Sequence, residues 1–284
     1  MKKLISILLA ALLACVATAC AGSNQEEKAT NPVTEKQTQT TTKAPVVFKE
    51  DDIRNYAEKE LGISNIKIAK TTEGSFGTAC IFHEDDGGVY ADEMYLAVYD
   101  GEKIICDGFG GGAVGETLYA NDIDGEKGDE IVFRVNTGGC GGAGSYICGV
   151  YKVKNDSLVS LYEPGDLEDT FTSVLTAPFG LQVKNTVTGK TYDLEFKDKK
   201  DRYSGVIYDD EGNPLPDALT AWFDGFCEFA PKDVDGDGIY EIFCRQYVSL
   251  DCHADCIGFA EVTIKYNNLS EAFEVIDSSY SDSY

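Results

Sequence analysis

The chain is short of positive charge and of histidine, and each shortage removes a class of function. Lysine and arginine total 24 against 49 aspartates and glutamates, a net charge of −25 over 284 residues. A field of that sign repels polyanions and gathers divalent cations, which excludes nucleic acid as a partner. No G-x-S-x-G elbow and no H-E-x-x-H helix occurs, which removes the serine hydrolases and zinc proteases that carry those motifs. After Leu61 there is no long helical pattern, which excludes a two-lobed solute receptor built of alternating strands and helices. What remains is 43% hydrophobic and 26% charged, enough apolar material for one or two cored domains.

Met1-Lys2-Lys3 precedes an apolar run from Leu4 to Ala14 that is too short to span a bilayer comfortably and reads as a secretory signal. It ends in Ala17-Thr18-Ala19-Cys20, which resembles the lipobox of bacterial lipoproteins and implies lipidation at Cys20. A competing site at Cys15 leaves a shorter apolar core, and a plain secreted protein cut nearby is the alternative. Residues 1–19 are thus the signal peptide. Residues 20–45, rich in Gln, Glu, Lys and Thr without aliphatic clusters, form a disordered tether. Residues 46–284 form the folded domain.

Within that domain Ile53, Tyr56, Ala57 and Leu61 stand at helical spacing, with acids in the first turn and Gly62 past the end. This predicts a short helix. The β-branched and alternating runs at Ile66–Ala69, Tyr95–Tyr99 and Lys103–Cys106 predict strands, and Val187-Thr188-Gly189-Lys190 a hairpin turn. Val206-Ile207-Tyr208 predicts a further strand. Gly108-Phe109-Gly110-Gly111-Gly112-Ala113 fits a dinucleotide fingerprint on paper, but no amphipathic helix follows it, so a loop between strands is the better reading.

The most informative stretch is Asp233-Val-Asp235-Gly-Asp237-Gly-Ile239-Tyr-Glu241. It places four carboxylates within one turn, where pairs ~4 Å apart repel by about 4 kcal/mol at intermediate dielectric. Hard oxygen ligands at alternate positions, with a backbone carbonyl at Ile239, are how calcium loops close around their ion. A metal-free acidic turn is the plainer alternative. A weaker copy, Asp122, Asp124, Glu126 and Glu130, aligns without gaps, and the two copies span 121–153 and 232–266. In the first, Glu126 is longer than Asp237, and Lys127 brings an ammonium near, so calcium binding there is expected to be weak or absent.

The pattern D-x-D-G-D-G-x-x-E-I resembles the FG-GAP and VCBS repeats. That resemblance implies a mainly β fold, a propeller-like or incomplete-propeller repeat domain, with calcium as its cofactor. Of the ten cysteines, the eight other than Cys15 and Cys20 make disulfides the default in an exported domain. Cys140 with Cys148 and Cys252 with Cys256 are the near pairs, and Cys227 with Cys244 and Cys80 with Cys106 complete the set. Cys252-His253-Ala-Asp255-Cys256 can be drawn as a zinc site or a cysteine nucleophile, but its place in an inter-strand loop argues against both. His83 reads as a hairpin residue. The sequence therefore points to a non-catalytic, calcium-binding module, lipid-anchored on the outer face of the cell membrane, that binds an extracellular protein or glycan. A secreted polysaccharide or cell-wall hydrolase is the alternative.

Overall fold

The computed structural model describes residues 48–113, 115–138, 146–162, 165 and 167–282. The signal, Cys20, the whole tether and Cys140 lie outside them. The chain is mainly β, in several antiparallel sheets, none closed into a barrel.

Helix α1 (Glu50–Tyr56) continues through one π turn, Ala57–Leu61, and stops at Gly62 with φ +74°. Glu50, Asp51 and Asp52 sit in its first turn, where the helix dipole favours negative charge. A first sheet follows, from β1 (Ile66–Gly74) and β2 (Gly77–Glu84). The two-residue β3 (Tyr90–Ala91) comes next, and then β4 (Met94–Tyr99) and β5 (Ile104–Gly108) complete the sheet in the order β1-β2-β4-β5. The glycine-rich stretch after β5 is a loop whose β6 (Gly112–Ala113) pairs with β3, so no nucleotide-binding turn is present there.

The second sheet is β7 (Thr117–Asn121), β8 (Glu130–Asn136), β9 (Tyr146–Lys154) and β10 (Ser157–Ser160). The third is β11 (Phe171–Thr176), β12 (Gly180–Asn185) and β13 (Thr191–Glu195). The β12–β13 turn falls where the sequence predicts it: Asn185 Oδ1 accepts the N–H groups of Val187 (3.1 Å) and Thr188 (2.9 Å), and Gly189 takes φ +71°. Val206–Tyr208 is not a strand. A short α2 (Lys200–Tyr203) leads instead into a turn in which the Tyr203 carbonyl accepts the N–H groups of Ile207 (3.0 Å) and Tyr208 (3.1 Å). The β-like composition there reflects burial, since Tyr203 and Tyr208 are wholly buried and Tyr208 Oη donates to the Gly180 carbonyl at 2.5 Å. The fourth sheet runs β14 (Trp222–Lys232), β15 (Glu241–Ser249), β16 (Cys256–Asn267) and β17 (Ala272–Asp282) in sequence order.

Side chains alternate faces along a strand, and here both faces of the inner strands are buried. On β2, Cys80 and Phe82 pack under Ile53 of α1 and Ala57 of the π turn, while Ala79 and Ile81 face the second sheet. On β8, Ile131, Phe133 and Val135 face the first sheet, while Val132 joins a core shared with Leu181 of the third sheet and Ile242 and Val262 of the fourth. The layers are therefore helix, first sheet and second sheet, followed by one core that the third and fourth sheets share with the second. On the other face of the fourth sheet Arg245 bridges Glu228 (2.9 Å) and Glu261 (3.0 Å) and lies over the rings of Phe243 and Phe259.

Candidate functional site

The two acidic loops join β7 to β8 and β14 to β15, the same place in two meander sheets. Their internal hydrogen bonds correspond. Gly125 N donates to Asp122 Oδ1 and Gly236 N to Asp233 Oδ1, both at 2.7 Å. Glu126 N donates to Asp124 Oδ1 (2.8 Å) and Asp237 N to Asp235 Oδ1 (3.2 Å). The left-handed residue pairs also match, Gly125 (+72°) with Gly236 (+78°) and Lys127 (+29°) with Gly238 (+86°). Glycine adopts that backbone without the Cβ penalty a lysine meets. The loops touch: Tyr240 N donates to the Asp122 carbonyl at 2.7 Å.

What fills the loops differs. In the first, Asp122, Asp124 and Glu130 present ligand oxygens within 4.8 Å of one another. Lys152, arriving from β9, bonds Asp124 directly and lies 2.9 Å from Glu126 and 3.8 Å from Glu130. An ammonium thus stands beside two of the three clustered carboxylates, Asp124 and Glu130. The sequence points to the longer Glu126 and to the Lys127 ammonium as what weakens this loop, whereas the ammonium that bonds its acids is that of Lys152. Burial pulls the Lys152 ammonium toward neutrality, but its bonds to Asp124 and Glu126 and the charge of Glu130 outweigh that and hold it above the ordinary lysine range. Burial raises the Glu130 carboxyl, opposed by the N–H groups of Ile123 and Asp124 that it accepts.

In the second loop Asp233, Asp235 and Asp237 lie within 4.8 Å of one another, with Asp235 and Asp237 exposed. Glu241, expected among the ligands, is not in this cluster. It is buried, its Oε2 accepts Val234 N at 3.1 Å, and its Oε1 accepts Lys265 Nζ at 2.6 Å. Its role is to staple the loop to β16. Glu126 likewise lies outside the first cluster, held by Lys152. Ile239 donates its N–H to Asp237 Oδ1 at 2.7 Å, and a Cβ on Gly125 would meet its side chain at 2.9 Å. Lys265 stands opposite Glu241 as Lys152 stands opposite Glu130, but it reaches only to 3.9 Å from Asp235. The three aspartates otherwise accept backbone N–H groups of their own loop. The sequence signal missed was the pair Tyr151-Lys152 and Ile264-Lys265, each one strand beyond its loop, in register with Ile131 and Ile242.

Residues 170–281 match the family model of the YybI C-terminal domain. A Bacillus subtilis (strain 168) protein described as "Uncharacterized protein YybI" is 26% identical over 155 residues, covering 53% of this chain and 57% of that protein. The YybI match contains the second loop and leaves the first outside it. No solved structure matches the chain. The match is to YybI and not to FG-GAP or VCBS repeats, so the family drawn from D-x-D-G-D-G-x-x-E-I is corrected. Alternating aspartates with glycines at the left-handed positions answer the needs of a tight acidic turn in any meander sheet, which is why the motif misled.

The other chemistry considered is not assembled. Among the described residues the two loops are the only groups of three or more candidate ligands close enough to share an ion. His253 Nδ1 pairs with buried Asp224 Oδ1 at 2.9 Å and its ring stacks on Trp222, while Asp255 is held by Arg202 (2.7 Å) and Tyr203 (2.9 Å). His83 lies in β2, its Nδ1 2.7 Å from the Glu84 carbonyl. Cys252 is an exposed free thiol, so its expected bridge to Cys256 is not closed here. Cys80 and Cys106 both flank Ala97 from opposite sides. That separates their backbones by two strand spacings, about 10 Å, beyond the ~7 Å a disulfide spans. Burial pushes both thiols up to about 12 and that of Cys227 to about 11, so none is a nucleophile at neutral pH.

Proposed function

We propose that this chain is a non-catalytic binding module, stabilised by calcium at its second acidic loop, carried on a lipid at Cys20 on the outer face of the cell membrane, and engaging an extracellular protein or glycan. The observation that carries the reading is the contrast between the loops. Three carboxylates converge in each, yet in the first Lys152 bonds Asp124 directly, whereas in the second Lys265 bonds Glu241 and comes only to 3.9 Å from Asp235, so the second keeps more of the negative charge that a hard divalent cation relieves. Asp233, Asp235 and Asp237 would hold the ion, and the Ile239 carbonyl is the backbone ligand proposed with them. The four meander sheets fit an open, incomplete propeller in which equivalent loops meet on one side. The hydrolase reading needs two uncommitted carboxylates facing each other, and in the cleft beside the first loop Asp124 and Glu126 are both bound by Lys152.

A calcium titration followed by thermal unfolding tests this. Extracellular sites with dissociation constants of order 10⁻⁴ to 10⁻³ M predict a gain of about 1.4–2.7 kcal/mol at ~10 mM calcium, or a rise of roughly 3–10 °C for a domain this size. Asp235→Ala should remove that rise. Asp124→Ala should lower the melting temperature yet keep the calcium increment. A wild-type curve that chelator leaves in place rules out the calcium reading. For the anchor, Cys20→Ala should move the protein from the detergent phase to the aqueous phase, since a lipid chain supplies its membrane affinity. Unchanged partitioning rejects lipidation there.

A further inference from the structure

A cleft of about 490 Å³ opens between the β9–β10 hairpin and the β16–β17 hairpin, beside the first acidic loop. That volume is within the range of small-ligand sites. We infer that this cleft binds a short peptide carrying a free amine and a free carboxylate, an inference that rests on the binding-module reading and names a ligand class for it.

Inside the cleft one ammonium serves two carboxylates. Asp124 and Glu126 reach into it, but both bond Lys152, so none of the three is available to a ligand without breaking a partly buried ion pair. Two charged side chains of the lining stand apart from that cluster. Lys154, at the end of β9, and Glu271, in the β16–β17 turn, are exposed and make no hydrogen bond or ion pair among the described residues. One positive and one negative group left uncommitted on opposite hairpins suit a zwitterion, the lysine taking the carboxylate and the glutamate the amine.

Glu271 is also held where it is at a cost. Its backbone lies at φ +52°, a region a non-glycine residue avoids unless its surroundings impose it. The turn imposes it: Asn267 Oδ1 accepts Leu269 N at 2.9 Å, Asn267 Nδ2 donates to Glu274 Oε1 at 2.8 Å, and Ser270 Oγ bonds the same carboxylate oxygen at 3.1 Å. A glycine would form this turn without strain, so the carboxylate is what the position retains.

The walls supply the rest of a peptide's needs. Asn268 gives its amide N–H to the Asp124 carbonyl at 2.5 Å, which leaves its own carbonyl oxygen as an acceptor for a backbone N–H. Ser160 Oγ donates to the Tyr162 carbonyl at 2.8 Å and keeps its lone pairs. On the aromatic side half-buried Tyr266 packs edge-on against Phe273 at 5.3 Å, and the two rings beneath it offer no open face. Tyr162 and Phe273 are 3% and 8% exposed and pack edge-on, ring centroids 6.0 Å apart. A sugar stacks on an exposed ring plane, whereas an aliphatic side chain can use this buried edge. Anionic phosphates would meet Asp124, Glu126 and Glu271.

The test is calorimetric titration of the full mature chain carrying Cys20→Ala, with a degenerate mixture of free-ended tripeptides having aliphatic central residues. The same mixture N-acetylated and C-amidated, and a neutral trisaccharide, are the comparison arms. Saturable binding of the free-ended mixture is expected, weakened at least tenfold by capping and at least tenfold by Lys154→Met or Glu271→Gly. The glycine variant should melt no lower than wild type, which separates loss of binding from loss of fold. Equal binding of the capped mixture, equal binding by the variants, no binding of the free mixture, or trisaccharide binding lost in the same variants overturns the inference. Running each titration in calcium and in chelator keeps the readings apart: peptide binding without any calcium effect rejects the metal loop alone.

Discussion

Lys152→Ala should cost about 3–5 kcal/mol of folding stability, the usual penalty for removing one partner of a buried ionic group. Asp124 and Glu130 are 4% and 1% exposed at their side chains, and the ammonium is the cation the structure places beside both. Without it two buried carboxylates face each other. The same variant should gain a calcium response at the first loop, because its Asp122, Asp124 and Glu130 cluster would then lack a tethered cation. Urea unfolding in chelator and in calcium measures both effects, and a calcium-insensitive loss below ~1 kcal/mol counts against this account. The sign with pH is fixed by the raised Lys152 value. The folded state holds this proton more tightly than the unfolded chain, so the contribution is complete below about pH 10.4 and is lost as pH rises above it.

Ile53→Ala should cost about 2–5 kcal/mol, the range for truncating a fully buried aliphatic side chain. Ile53 is 0% exposed, in one cluster with Phe82, Cys80 and Ala97 on the outer face of the first sheet. If α1 covers that face, the loss appears as a lower denaturation midpoint with an unchanged slope. An unchanged midpoint would mean that the helix is peripheral to folding. Glu50→Ala, in the exposed first turn and 3.5 Å from Arg54, should change stability by only a few tenths of a kcal/mol.

Much of the fold was legible because it is written in local periodicity. The helix at 50–61, the strands around Ile66, Tyr95 and Ile104, and the turn at Gly189 all follow from spacing and from residues that suit one backbone conformation. Val206–Tyr208 was misread because a β-branched and aromatic run suits a strand, whereas here Val206 is exposed and Ile207 and Tyr208 are buried from a turn. The acidic loops were visible, but the side chains that decide their chemistry were not. Lys152 and Lys265 lie more than twenty residues beyond the carboxylates they meet, and only the strand register brings them there. The cleft was invisible for the same reason, since its two hairpins are far apart in sequence.

The family match begins at residue 170, yet the largest core does not. Ile123, Val132 and Val150 from the earlier sheet interleave with Leu181, Ile242 and Val262 of the matched segment. The second sheet therefore behaves as a covalently attached partner, covering an apolar face that the matched segment cannot close by itself. Expressed alone, residues 170–281 of this chain should bare that face and self-associate. Any natural protein that carries such a domain without this sheet has to bring another surface to the same place, from its own chain or from a second one.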